Sequence, residues 1–216
     1  MRKTTIAVLT ALMMVLATVA TASPSEQGYE SRSTVSVVPV NRIFDDIGTP
    51  VGPTASGRSL LITREESLRA VTSFNGLKPG GVYTFWWVII PSGGGFPADA
   101  FVAGGGGTVV GDNGRAFANM SAREGDGSIA GFLIPFQPLD FDLRTAEIHV
   151  ELAYHGQASD AGSDLGVWLS DFWSGSACPG GHGNNPYASA ALAGATEVNP
   201  GQPHCPVSYA AVHPGS

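Results

Sequence analysis

Cysteine and charged residues are scarce in this sequence. Its 216 residues include two cysteines, and 11 Lys and Arg face 18 Asp and Glu, so that only 13% are charged while 43% are hydrophobic. Few charges and many apolar residues argue against a disordered chain. The 29 Gly and 15 Pro disfavour helix interiors, which excludes a helical bundle or a coiled coil. The length is ordinary for one domain with a buried core.

The common chemical signatures are missing as well. The sequence has no GxSxG elbow, no HExxH, no CxxC pair, no nucleotide fingerprint and no EF-hand calcium loop. An enzyme is therefore less expected than a binding or structural protein. A secreted hydrolase built from distant Ser, His and Asp residues stays open as an alternative, because such a set leaves no local motif.

The N-terminus has the pattern of a secretory signal peptide: a basic start, an apolar stretch over residues 6–19 and small residues at 20–22. We predict that residues 1–22 are removed. A lipid anchor would need Cys at the cleavage point, where the sequence has Ser23, and no later apolar run approaches the ~20 residues of a membrane span. The pattern predicts a secreted or periplasmic protein without a membrane anchor.

The charge balance limits the partners. Loss of Arg2 and Lys3 with the signal peptide leaves nine basic against 18 acidic residues. Nucleic-acid binding depends on clustered Lys and Arg that neutralise phosphates, and the sequence contains no such run. We therefore expect no nucleic acid and no other polyanion as partner, which leaves an unknown small molecule, a glycan or a protein.

The two cysteines, Cys178 and Cys205, are expected to form a disulfide in an oxidising compartment. The bridge would close a loop of 28 residues and contribute roughly 3 to 4 kcal/mol in the chain-entropy estimate. A catalytic or metal-binding cysteine pair is the alternative, but metal sites favour the closer CxxC spacing.

Runs of β-branched and aromatic residues between turn residues predict eight or nine short strands. A flexible polar segment over residues 23–32 precedes a single domain over residues 33–216. The expected fold is an all-β antiparallel β-sandwich, with a closed barrel as the alternative. The strand candidates are residues 34–40, 59–63, 68–74, 82–90, 108–111, 115–122, 128–135, 147–155 and 206–213. One short helix is predicted in the C-terminal third from the apolar spacing of Leu165, Trp168, Leu169 and Phe172.

Residues 82–90 are apolar on both faces, which predicts a strand at the centre of the sheet. Adjacent strand residues point to opposite faces, so Trp86 and Trp87 cannot form one stacking platform, and core packing is expected for at least one of them. The glycine tracts at 93–95 and 104–107 are expected to be flexible loops. Residues 112–114 are expected to be a hairpin turn.

Aromatic residues in loops are the candidates for a binding surface. Phe96 and Phe101 lie between the glycine tracts, and Trp173 follows the helical stripe. An exposed apolar patch built from these three side chains would bind a ligand, whereas the alternative is that they cap the core.

The strand over residues 147–155 offers the best candidate metal site. Alternation places Glu147, His149 and Glu151 on one face, close enough to share a proton or a divalent metal ion, and His213 would join them if its strand paired beside His149. The simplest interpretation is that this polar face meets water. No cofactor is otherwise expected.

Four segments in this order resemble a family of exported bacterial proteins whose function is uncharacterised. They are YTFWWVI at residues 83–89, VVGDNGRA at 109–116, AEIH at 146–149 followed by HG at 155–156, and AVH at 211–213. The resemblance covers roughly residues 60–213 and implies a common fold without implying a chemistry. Members of that family have cysteines in the loop after the Trp pair, whereas residues 91–107 contain none here.

Overall fold

The predicted strands lie in one hydrogen-bonded antiparallel sheet. The computed structural model describes residues 33–44, 50–95, 98–131, 139–170 and 207–216. In this part of the chain the strands are β1 Thr34–Phe44, β2 Pro50–Arg64, β3 Ser67–Asn75, β4 Gly81–Ile90, β5 Phe101–Val109, β6 Arg115–Arg123, β7 Ala130–Gly131, β8 Glu147–Gln157 and β9 Val207–His213. Their order across the sheet is β6-β3-β2-β1-β9-β8-β4-β5-β7.

The sheet curls until it is nearly closed, in a barrel-like arrangement. At its two ends Gly105 of β5 lies against Met120 of β6, so close that a Cβ on Gly105 would be 2.3 Å from the Met120 Cε. One face of every long strand is buried inside this curve, and β6 shows the period most clearly, with exposed and buried residues alternating from Arg115 to Arg123. The all-β antiparallel class is confirmed.

The core consists of the side chains that face inward. On β4 these are Tyr83, Phe85, Trp87 and Ile89, which pair across the sheet with Tyr154, Leu152, Val150 and Ile148 of β8. The central position predicted for residues 82–90 is confirmed, because β4 lies between β8 and β5. Trp87 is wholly buried, whereas Trp86 points to the opposite face and is partly exposed.

The predicted loop at residues 104–107 is wrong, because these glycines belong to strand β5. Their lack of a side chain is what lets neighbouring groups approach. A Cβ on Gly107 would be 2.5 Å from the Leu169 carbonyl oxygen, and the Trp86 ring lies over Gly104. Glycine therefore marks close packing here rather than a flexible loop.

The hairpin predicted around residues 112–114 is also wrong. A turn is present, with Gly114 at a φ of 62°, but β5 and β6 on either side of it do not pair with each other. Instead β5 pairs with β4, and β6 pairs with β3. The turn crosses between the two ends of the curled sheet, and its glycine has no room for a side chain beside the Leu77 carbonyl.

Two short helical turns, α1 Ala158–Ala161 and α2 Leu165–Trp168, follow β8 and are joined by a 3-10 turn. Three residues of the predicted apolar stripe, Leu165, Trp168 and Leu169, pack on Val82 at the outer side of β4, and the fourth, Phe172, lies outside the described residues. No helix among the described residues is both long and apolar enough to cross a membrane. Of the predicted strand at 128–135, β7 covers only Ala130–Gly131, and residues 132–138 lie outside the described residues.

Candidate functional site

Strand β8 places Glu147, His149 and Glu151 on the outer face of the sheet, opposite the core face that carries Ile148 and Val150. The expectation that this polar face meets water is wrong. His149 and Glu151 are fully buried, and only Glu147 is substantially exposed. Within the sheet, His149 lies between Val88 of β4 and Val212 of β9.

The two carboxyl groups hold a charged imidazole in this buried position. His149 Nε2 lies 2.7 Å from Glu147 Oε1, and His149 Nδ1 lies 3.4 Å from Glu151 Oε1. Burial opposes the charged form of His149, but the hydrogen bonds to Glu147 and Glu151 outweigh it and raise the pKa to about 9. The same hydrogen bond from His149 lowers the pKa of Glu147.

This arrangement differs from a metal centre in two respects. Glu147 and Glu151 contact different ring nitrogens of His149, which diverge, so the three groups as placed do not point at one position. Among the described residues no group of three or more His, Cys, Asp or Glu side chains is placed to hold a metal ion. Glu151 Oε2 is nevertheless buried without a hydrogen-bond partner within the described part of the chain.

His213 does pair beside this group but points to the other side of the sheet. It is opposite Ile148 in the register, so it shares the core face with Ile148 rather than the outer face with His149. Its ring contacts serine hydroxyls of two other strands, Ser36 Oγ at 3.0 Å from Nδ1 and Ser59 Oγ at 2.9 Å from Nε2. The structure therefore separates His213 from the other predicted metal ligands.

Ser59 extends this contact into a buried polar chain, because its Oγ lies 2.8 Å from Thr72 Oγ1. Burial, together with the positive charge of His149, lowers the pKa of His213 to about 4. A neutral ring with so low a basicity is a weak general base near pH 7. The buried polar chain therefore links β9 to β1, β2 and β3 by hydrogen bonds. In the sequence this polar chain is marked by polar residues at inward-facing strand positions, which were not recognised from the pattern.

A second buried imidazole lies further along the same outer face. His155 Nε2 is 2.8 Å from Thr84 Oγ1, which also accepts a hydrogen bond from Trp86 Nε1 at 2.8 Å. Trp86 pairs with Glu151 across β4 and β8. The outer face of these two strands thus carries two polar groups, one around His149 and one around His155, and the cross-strand register brings together residues about 70 positions apart in sequence.

Most of the predicted aromatic patch cannot be placed. Phe96 and Trp173 lie outside the described residues, as do Cys178 and Cys205 of the predicted disulfide. Phe101 is buried in the core, with its ring centroid 5.3 Å from that of Phe141. It contributes to the core, so the alternative interpretation holds for Phe101.

A different surface carries the exposed side chains, and the sequence analysis missed it. The outward residues of β1, β2, β3 and β6 include five exposed arginines, and these strands contain no Asp or Glu. They are five of the nine basic residues that follow the predicted signal peptide. We call this surface the arginine face, and its basic side chains are Arg58, Arg64, Arg69, Arg115 and Arg123.

The cross-strand register groups these arginines. Arg64, Ser67 and Arg123 are opposite one another in one row across β2, β3 and β6, and Arg69 lies in the next row. Arg123 is 3.7 Å from Glu66, but both side chains are mostly exposed, so the pair is weak. Arg58, Arg64, Arg69 and Arg115 make no ion pair with any residue the structure describes.

Apolar side chains lie between the arginines. Val37, Leu60 and Val71 are opposite one another across β1, β2 and β3, one row from Arg69 on one side and from Arg58 on the other. Phe117 is 73% exposed and Val37 61% exposed. Exposed apolar residues in such continuous rows mark interaction surfaces more often than isolated ones do.

A shallow cavity of about 160 Å³ opens on the arginine face, lined by Ile62, Arg64, Ser67, Leu68 and Arg69. It places two guanidinium groups and one hydroxyl around a space with an apolar side. Guanidinium groups are suited to bidentate contacts with phosphate, sulfate and carboxylate oxygens.

No protein-family model, no curated protein and no solved structure matches this chain. The resemblance to a family of exported bacterial proteins therefore stays a prediction.

Proposed function

We propose that the protein is an exported, non-catalytic binding protein that recognises an anionic partner through the arginine face. Export is supported by the signal-peptide pattern of residues 1–22. The observation that carries the proposal is the charge segregation: five exposed arginines share one sheet surface whose four strands have no acidic residue, in a chain of net charge −7.

The segregation of charge explains how a protein with a negative net charge can bind an anionic partner. Charges further apart than about 10 Å at about 0.1 M salt are largely screened, so a partner that contacts the arginine face senses its local charge. The acidic side chains near this face lie in turns, at Glu65, Glu66, Glu124 and Asp126. An anionic partner therefore has to contact the strands between these turns.

A sulfated polymer tests this proposal without assuming the partner's identity. We expect the mature protein to bind dextran sulfate beads at low salt and to be released as salt rises. The double variant R64S/R69S should bind roughly tenfold more weakly, since each exposed ion pair contributes up to about 1 kcal/mol. The control is Lys78→Ser, which removes one charge from the turn before β4, outside the arginine face, and should bind like the parent.

Retention of R64S/R69S equal to that of the parent protein would contradict the proposal. Both arginines are exposed, so their substitution should change the free energy of unfolding by no more than about 0.5 kcal/mol. A urea titration of each variant checks that the comparison is made between folded proteins.

A divalent-metal protein centred on His149 is the second candidate, and the buried, unpartnered Glu151 Oε2 favours it. The residues that would supply ligands are Glu147, His149 and Glu151. Metal binding there must displace a proton from His149, so zinc or copper should bind more tightly as pH rises. Metal analysis of untagged protein, with melting measured with and without zinc and copper, tests it. An unrecognised hydrolase stays a prediction without a structural observation that favours it.

A further inference from the structure

We infer that the anionic partner of the arginine face is a lipid surface, to which the folded protein binds peripherally. The inference rests on the proposed function and names the class of partner. It depends on a feature that a soluble polyanion does not require, namely the apolar side chains that lie exposed between the arginines: Val35, Val37, Leu60, Val71 and Phe117.

The arginine face is extended along and across its four strands, and as the outer side of a curled sheet it is convex. From Arg58 to Arg64 along β2 the chain advances roughly 20 Å, and the four strands from β1 to β6 span roughly 15 Å. Over this area the outward residues form a polar and apolar mosaic without an acidic side chain on the strands. A lipid surface presents anionic headgroups and an apolar layer over an area of this size.

Arginines and apolar side chains lie in different rows along the strands of this face. Arginines lie at both ends, with Arg64, Arg69 and Arg123 at the β2–β3 turn and Arg58 and Arg115 at the other end. The Val37, Leu60 and Val71 row lies between them. Guanidinium groups would contact lipid phosphates while the apolar row and Phe117 reach the acyl boundary, as in other peripheral proteins.

The cavity between Arg64 and Arg69 gives this surface a place for one headgroup. Its volume of about 160 Å³ and its two lining arginines suit a phosphate, and Ile62 lies on its apolar side. A phospholipid carries a phosphate and apolar chains in one molecule. A sulfated glycan would use the arginines and leave the apolar side chains exposed to water.

The test compares vesicles with a soluble polyanion. Vesicles of phosphatidylglycerol and phosphatidylcholine in equal parts are compared with phosphatidylcholine vesicles and with dextran sulfate beads, by co-sedimentation of the mature protein. Of the two vesicle types, we expect the protein to bind only the anionic one, with binding that weakens as salt rises, and we expect it to bind the dextran sulfate beads as well. Each arginine lost should weaken vesicle binding about fivefold, so R64S/R69S should lose about 25-fold while Lys78→Ser is unchanged.

Phe117→Ser separates the lipid inference from the proposed function. It should weaken vesicle binding about tenfold, because an aromatic side chain leaves water on insertion, and should leave dextran sulfate binding unchanged. Val37→Ser should act in the same direction with a smaller effect. Both positions are exposed, so neither change should unfold the protein.

Two results would overturn the inference. If Phe117→Ser and Val37→Ser bind vesicles like the parent, the apolar row does not contact lipid, and the proposed function stands alone. If the parent binds neither vesicles nor dextran sulfate, and sedimentation shows a dimer that Phe117→Ser dissociates, the face joins two copies of this chain, and the proposed function fails with the inference.

Discussion

His149 and His213 lie on neighbouring strands and point to opposite faces of the sheet, and their pKa values move in opposite directions. Hydrogen bonds to two carboxyl groups, prevailing over burial, raise the pKa of His149 to about 9, whereas burial lowers that of His213 to about 4. Both start from 6.5 in the unfolded chain. The pair therefore limits stability on both sides of neutrality.

On the alkaline side we expect His149 to dominate. Its folded pKa lies above its unfolded value, so its contribution is complete below pH 6.5 and is lost as pH rises through about 9. The loss amounts to about 3 kcal/mol, since one pH unit of separation corresponds to about 1.4 kcal/mol. Urea titrations between these pH values measure it, and His149→Gln should flatten the profile. A parent profile as flat as that of the variant would contradict the pKa shift.

On the acid side we expect His213 to lower stability first. Its folded pKa lies below its unfolded value, so its contribution is complete above pH 6.5 and is lost as pH falls toward about 4. The decrease between pH 7 and pH 5 should be smaller in His213→Asn, which cannot titrate. This range lies above the lowered pKa values of Glu147 and Asp142, whose protonation acts at lower pH. Equal slopes for parent and variant would show that His213 is not the cause.

At the scale of the element, strand β5 shows why four consecutive glycines can belong to a strand: neighbouring groups pack where a side chain would be. Gly107 lies against the backbone of Leu169, after α2, and against the Tyr83 carbonyl oxygen, so an added methyl group displaces backbone. Gly104 has an ordinary contact of 3.6 Å with the Trp86 ring at the same point. Both positions are glycines of the same strand, but only Gly104 has space for an added methyl group.

We expect Gly107→Ala to destabilise the protein by about 2 kcal/mol or more, through overpacking against backbone that cannot move cheaply. Gly104→Ala is the matched control, and its effect should lie within about 0.5 kcal/mol, since alanine also restricts the unfolded chain. Thermal and urea unfolding of both variants measure the difference. Equal destabilisation by the two substitutions would show that β5 is loosely packed near α2.

Most strands and the β2–β3 hairpin were predictable from local patterns, and the partners of β5 and β6 were not. Strands β1 to β4, β8 and β9 contain β-branched or aromatic residues between turn residues, and β6 alternates Ala or Met with mostly polar residues, which identifies them in the sequence. Strand β5 has four consecutive glycines and no such pattern, so only tertiary packing against Met120 and Leu169 explains it. The partners of β5 and β6 depend on closure of the sheet, which no local pattern encodes.

At the scale of the whole molecule, the net charge was predictable from the sequence, but the distribution of charge over the surface was not. The acidic excess argued against an anionic partner, yet the fold gathers Arg58, Arg64, Arg69, Arg115 and Arg123 on one surface. These arginines come from three strands separated by up to about 65 residues, and no run of them exists in the sequence. The absence of Asp and Glu from β1, β2, β3 and β6 was the signal available before the structure.

The position of β9 has a kinetic consequence. In the described sheet it joins β1, β2, β3 and β6 on one side to β8, β4, β5 and β7 on the other, and it is the last strand in chain order. Neither half can close its hydrogen bonds at this seam until β9 has been synthesised, and such long-range pairing slows folding. A chain built in this order cannot complete the described sheet during synthesis, and in a protein exported as we propose this would leave time for threading through a translocation channel.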